Sequence, residues 1–161
     1  MRIVWFCLCC WSALAWGLPA PRGEVVLTLE GALHARNHGA LAELDLPMLM
    51  ALPQHDIRTR TPWYDDAHVF RGPRLADLLA LVKAQGTQLV VHALNDYLVT
   101  IPIEVLITQG AILAHSKDGH PLTVREKGPF FIVFPFDQNP ALQTKLYYGW
   151  SAWQIDRIRV E

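Results

Sequence analysis

A protein site that does chemistry needs groups that attack, ionise or coordinate, and this sequence places few of them usefully. Its three cysteines are Cys7, Cys9 and Cys10, so from residue 11 onward no thiol nucleophile or thiolate metal ligand exists. Beyond Ser12 the only serines are Ser116 and Ser151, and neither sits in a Gly-x-Ser-x-Gly elbow. His34 and His38 have i, i+4 spacing, and Asp65, Asp66 and His68 cluster. The first pair falls in a stretch with weak helix signal, and no pairing resembles a zinc knuckle, so these read as solvated loop residues. Glycine-rich phosphate loops are absent.

Polar and aromatic residues at turns remain, where function tends to gather. They are Arg58, Arg60, Thr61 and Trp63; Asn95, Asp96 and Tyr97; Arg125, Lys127, Gly128 and Pro129; and Trp150, Ser151 and Trp153. Asn or Asp can hydrogen-bond the edge of an amino-pyrimidinone ring. Trp and Tyr offer stacking faces, and Arg or Lys can hold a polar or anionic tail. Together they suit a flat, polar heterocycle. The same residues also read as core aromatics, Trp153 and Tyr97 above all, surrounded by surface charge.

The elements that must position them are short. Val25 to Leu29 alternates as a strand stopped by Gly31. Residues 34–42 read as loop. Asp45 caps a short helix over 46–52, ended near Pro53. His55 to Thr61 reads as a strand ended by Pro62, residues 63–66 as loop, and His68 to Arg71 as a second strand. Leu75, Leu78, Leu79 and Val82 have helical spacing, which predicts a helix over 75–85 with Gly86 as its C′ residue. Residues 88–94 and 97–101 form a hairpin around Asn95-Asp96. Residues 102–108 allow one or two helical turns. Strands follow at 111–115, at the apolar run 130–134 and, alternating imperfectly, at 154–160. Many short strands with few helices define an α+β or mostly-β domain.

The 161 residues fit one domain, with 52% apolar and only 18% charged residues against roughly 25% on average. A net charge of −1 without a basic stripe gives nucleic acid nothing to hold. Met1-Arg2 followed by an apolar stretch to Trp16, with small residues at Ala13, Ala15 and Gly17, reads as an export signal. The expectation is a signal peptide over 1–17, a single domain over 18–161 and a periplasmic location.

Three groups of segments carry a resemblance. They are Thr59-Arg60-Thr61-Pro62-Trp63 with Phe70-Arg71-Gly72-Pro73-Arg74-Leu75-Ala76-Asp77-Leu78-Leu79; Leu94-Asn95-Asp96-Tyr97-Leu98-Val99-Thr100-Ile101-Pro102; and Arg125-Glu126-Lys127-Gly128-Pro129, Phe134-Pro135 and Trp153-Gln154. In their order and spacing they resemble small exported proteins of the molybdopterin-dependent oxidoreductase-like family, over roughly residues 25–161. The resemblance implies the sulfite oxidase molybdopterin-binding-domain fold: mostly short mixed β-strands with a few helices. In enzymes of that type a cysteine thiolate on the strand before Phe-x-Gly-x-x-Leu ligates molybdenum. Here the strand is about residues 55–61 and holds no cysteine.

The chain thereby resembles the cysteine-free, periplasmic pterin-binding branch of the family. That implies a non-catalytic protein that binds a free reduced pterin of tetrahydropterin type, with no molybdenum. Its implied partner is the periplasmic domain of an inner-membrane diguanylate cyclase or phosphodiesterase, or a sensor kinase. Asn95, Asp96 and Thr61 are then candidates for the pyrimidinone edge. Trp63, Tyr97 and Trp153 are candidate walls, and Arg60, Arg125 and Lys127 candidates either for the ligand's tail or for shaping the Lys127-Gly128-Pro129 turn. Trp150-Ser151 stands where relatives often carry Arg-Ser, removing an anchor or adding a stacking wall. The alternative is a molybdenum-cofactor-dependent oxidoreductase, or a subunit of one, that lacks the usual cysteine ligand.

Overall fold

The computed structural model describes residues 17–161, so the expected signal segment lies, except for Gly17, outside the described residues. The first strand, β1 (Val25–Gly31), pairs antiparallel with β2 (Ala42–Asp45), and α1 (Leu46–Met50) follows directly. Asp45 is the expected cap. Its carboxylate accepts from Met48 N–H at 2.9 Å, and also from the N–H groups of Arg22 at 2.7 Å and Gly23 at 2.9 Å. Three donors on one carboxylate fasten the segment preceding β1 to the start of α1.

Next come β3 (Gln54–Thr61), β4 (Tyr64–Pro73) and α2 (Leu75–Leu81). Of the expected loop over 63–66, Trp63 lies in the turn but residues 64–66 belong to β4. Thr61 faces Tyr64 across a hairpin with only Pro62 and Trp63 between them, and a register irregularity between Thr59 and Thr61 shapes its end. Helix α2 buries Leu75, Leu78 and Leu79, with Val82 just beyond, as its spacing predicts. It ends earlier than expected, because Lys83 at φ 50° takes the left-handed position expected of Gly86. Gly86 instead makes room for a passing backbone, since a Cβ there would lie 2.4 Å from the backbone oxygen of Glu161.

The hairpin β5 (Gln88–Ala93) and β6 (Leu98–Pro102) forms around Asn95-Asp96, and α3 (Ile103–Thr108) follows. Then come β7 (Ile112–Ala114), β8 (Ser116–Lys117), β9 (His120–Pro121), β10 (Phe131–Val133), α4 (Lys145–Trp150) and β11 (Ile155–Val160). The sequence pattern announces neither β2 nor α4: β2 is only four residues long, and α4 contains Gly149. The imperfect alternation of Ile155, Ile158 and Val160 has a cause in a bulge between Ile155 and Arg157, which returns all three side chains to the core face.

Strands β2-β1-β11-β5-β6 form one sheet, with β11 parallel to β1 and antiparallel to β5. Strands β3-β4-β8-β9 form another, and β10-β7 a two-stranded ribbon. The ribbon separates two cores. Leu113 and Ile132 face the larger, with Leu27, Leu78 and Val91; Ile112, Ala114, Phe131 and Val133 face the smaller, with Ile57 and Phe70. Period-two alternation in two fully buried strands therefore joins the layers. On the smaller core rest Trp63, Tyr64 and Trp153, each partly exposed.

Candidate functional site

Three distant segments converge on that aromatic shelf. The β3–β4 hairpin supplies Trp63, the β5–β6 turn supplies Asn95 and Tyr97, and the end of α4 with the residues after it supplies Tyr148, Gly149, Ser151, Ala152 and Trp153. Between them lies a cavity of about 260 Å³. Its walls are indole and phenol rings. Trp63 meets Trp153 edge-on at 5.2 Å between centroids and Tyr148 at 6.1 Å, and it rests on buried Phe131 at 5.5 Å. Edge-on packing fixes these rings against one another and leaves faces for a planar guest.

The mouth is tied by hydrogen bonds. Tyr97 Oη donates to the carbonyl of Gly149 at 3.2 Å, linking the β5–β6 turn to α4. Asn95 Oδ1 accepts from Tyr97 N–H at 3.2 Å, so the Asn95 side chain is held at the rim. Ser151 is buried, and its hydroxyl donates to the Tyr147 carbonyl at 3.0 Å, which commits it to closing α4.

A second, more polar depression of about 400 Å³ shares Tyr148 with the first and is lined by Arg60, Thr61, Pro62, Phe136, Asp137 and Gln143. Asp137 organises it. Its Oδ2 accepts from Arg60 N–H at 3.1 Å and lies 3.9 Å from Arg60 Nε, while its own N–H donates to Thr59 Oγ1 at 3.0 Å. Thr59 Oγ1 in turn donates to the Arg60 carbonyl at 3.1 Å. Thr61 differs: its hydroxyl oxygen is buried and has no hydrogen-bond partner among the described residues. A buried hydroxyl left unpaired costs free energy, so it marks a place where polar complementarity is incomplete.

Lys127 stands beside the shelf at φ 73°, just before the cis Gly128–Pro129 bond. Its Nζ lies 4.2 Å from the Trp153 ring centroid and 5.8 Å from those of Trp63 and Tyr64. Burial lowers its pKa below the usual lysine value. Tyr64, whose hydroxyl donates to the Glu126 carbonyl at 3.2 Å, has its pKa raised by burial and then by the Glu126 charge.

Trp63, Asn95, Tyr97, Ser151 and Trp153 thus line one cavity, Arg60 and Thr61 line its neighbour, and Lys127 lies over two of the wall rings without lining the cavity. The remaining candidates stand apart. The Asp96 side chain is 96% exposed, turned to solvent by a left-handed backbone at φ 62°. Arg125 is exposed on a 3-10 turn, and Trp150 packs edge-on against Tyr147 at 5.2 Å on the larger core. Tyr148, Asp137 and Gln143 escape sequence reasoning. The paired tyrosines beside the Gly149-Trp150 stretch are the available signal for Tyr148; nothing local marks the other two.

Among the described residues no group of three or more His, Asp or Glu is gathered as metal ligands. His38 instead lies 2.9 Å from Glu43, and His68 2.6 Å from Asp118. At the end of β3, the strand on which the resemblance implies a metal-ligating cysteine, stand two threonines. One hydroxyl is already engaged in both directions, and neither ionises at neutral pH. Hydroxyl oxygens are harder and weaker donors than a thiolate for a soft metal centre.

No protein-family model matches the sequence. It is similar to the uncharacterized oxidoreductase YuiH of Bacillus subtilis (strain 168), with 29% identity over 104 residues, 57% of this chain and 52% of that protein. The chain therefore spans about half the length of the curated relative it matches. Among solved structures it is similar to the sulfane dehydrogenase SoxCD from Paracoccus pantotrophus. The TM-score is 0.59 at 13% identity, covering 83% of this chain and 37% of that one. The expected α+β class is borne out: the chain has an oxidoreductase-like fold of the sulfite oxidase kind, mixed short sheets with four α-helices among the described residues.

Proposed function

We propose that the chain is a non-catalytic binding module for a reduced pterin of tetrahydropterin type. On this reading it is exported to the periplasm, where it regulates a membrane cyclic-di-GMP enzyme or a sensor kinase. The observation that carries the binding step is the cavity walled by Trp63, Tyr97, Tyr148 and Trp153 with the Asn95 amide at its rim. At about 260 Å³ it lies just below the usual range of roughly 300–1,000 Å³ for ligand pockets, which suits one bicyclic heterocycle rather than a dinucleotide. Two indoles and two phenols supply stacking area, and an amide at the rim supplies the donor and acceptor that an amino-pyrimidinone edge pairs with. Signalling then requires the partner domain to bind the loaded and free forms with different affinity.

Thermal unfolding of residues 18–161 under anaerobic conditions tests the reading, with a tetrahydropterin, the oxidised pterin or no ligand. A ligand at a hundredfold excess over its Kd adds about 2.7 kcal/mol. That gain should appear with the reduced pterin and vanish in Trp153→Ala. No stabilisation by any pterin refutes it.

Similarity to YuiH and SoxCD, an oxidoreductase and a dehydrogenase by name, favours a second reading, a molybdenum-cofactor oxidoreductase without the usual thiolate. Stoichiometric molybdenum in protein from a cofactor-producing host would select it over the first.

A further inference from the structure

The ammonium of Lys127 is unusual in what compensates it. Among the described residues no carboxylate lies within ion-pair distance of its Nζ, and burial alone is responsible for its shifted proton affinity. Its neighbours are three ring systems: Trp153 at 4.2 Å, and Trp63 and Tyr64 at 5.8 Å each. Two of these, Trp63 and Trp153, are cavity walls, whereas Lys127 itself does not line the cavity. The cation therefore meets two wall rings while not itself lining the cavity. The neighbouring Lys117 is arranged otherwise, since its Nζ lies 4.3 Å over Tyr64 but also 3.9 Å from Glu126 Oε1.

A cation on an aromatic ring draws π-electron density toward itself and leaves the rest of the ring poorer. A guest stacked on such a wall gains if its own ring is electron-rich and loses if it is electron-poor or cationic. We infer that Lys127 is a specificity-determining, positioning residue: through Trp153 and Trp63 it biases the cavity toward electron-rich heterocycles, and so toward the reduced over the oxidised ring of a pterin. This rests on the pterin-binding reading above and assigns its redox selectivity to one side chain.

The experiment measures Kd for 6-methyl-tetrahydropterin and for fully oxidised 6-methylpterin, by anaerobic calorimetry on wild type, Lys127→Met and Lys127→Arg. Methionine keeps the length and packing of the lysine stem without charge. The ratio of the two Kd values should move toward the oxidised ligand by about threefold or more in Lys127→Met. It should stay near the wild-type ratio in Lys127→Arg. A purely structural lysine would weaken both ligands equally, so an unchanged ratio in Lys127→Met overturns the inference and leaves pterin binding intact. Failure of folded wild type to bind either ligand overturns both. Should the methionine variant not fold, Lys127→Gln reads the same ratio.

Discussion

Thr61→Val is the substitution whose outcome the structure fixes most sharply. Thr61 sits at the end of β3, 8% exposed, and its hydroxyl oxygen is buried without a partner among the described residues. Valine keeps the β-branched shape and strand preference of threonine and replaces the hydroxyl with a methyl group. An unpaired buried hydroxyl costs about 1–3 kcal/mol, so the ligand-free variant should be more stable than wild type by about 1–2 kcal/mol. A domain of this size shifts by roughly 2–4 °C per kcal/mol, which predicts a Tm rise of about 2–8 °C. Urea unfolding should show a higher midpoint at an unchanged slope, since the surface exposed on unfolding is the same. A loss of about 1 kcal/mol or more would show that the hydroxyl is hydrogen-bonded in the folded protein, and the reasoning would fall. A stabilising result would identify Thr61 as a position held below its stability optimum, the pattern expected where a side chain serves a site.

Two further outcomes follow. The Asp45 carboxylate has its pKa lowered by the backbone N–H groups of Gly23 and then Met48. Its stabilising contribution is complete above the unfolded value of about 3.9 and is lost as pH falls through the lower folded value. The Tm gap between wild type and Asp45→Asn should therefore close on acidification below about pH 4, and a constant gap down to about pH 2 would contradict the sign. Gly86→Ala drives a Cβ to within 2.4 Å of the Glu161 carbonyl, which also accepts from Thr87 and Gln88 N–H at 2.6 and 2.9 Å. The added Cβ would also lie 2.6 Å from Val160 Cγ1, so both strand backbone and a core side chain must give way. Chemical denaturation should show a loss of about 1–3 kcal/mol, and an unaffected midpoint would refute the close approach.

Local signals carry much of this fold. Asp45 reads as a cap because a short carboxylate before an apolar run can satisfy free helix N–H groups, and it does so. The Asn95-Asp96 turn reads correctly because those residues tolerate positive φ, which Asp96 adopts. Gly86 misleads for an equally physical reason. A glycine after a helix suggests a left-handed cap, but it serves as well where another backbone must pass close, and only the arrival of Glu161 decides. Tyr64 reads as loop because Pro62 masks how tightly β3 turns into β4.

The site is legible as residue types and illegible as geometry. Trp63, Asn95, Tyr97 and Trp153 announce themselves as turn aromatics and amides. Nothing in their spacing says that residues so far apart in the chain share one cavity. Tyr148 and Asp137 stay hidden for complementary reasons. The helix carrying Tyr148 is six residues long and glycine-bearing, and Asp137 acts chiefly by accepting a backbone N–H from Arg60, a role no local pattern encodes.

The order of strands in the five-stranded sheet bears on how the protein reaches its folded state. Strand β11, the last element in the chain, lies between β1 and β5. Until it arrives, β1 and β5 both present open edges, and the parallel β1–β11 pair can close only a loop that contains nearly the whole domain. Such long-range closure places folding toward the slow end of the roughly millisecond-to-second range of non-local topologies. A growing chain therefore cannot complete its central sheet early. The sheet is completed only once β11 is in place, and a truncation that removed β11 would delete the middle of the sheet rather than trim its border.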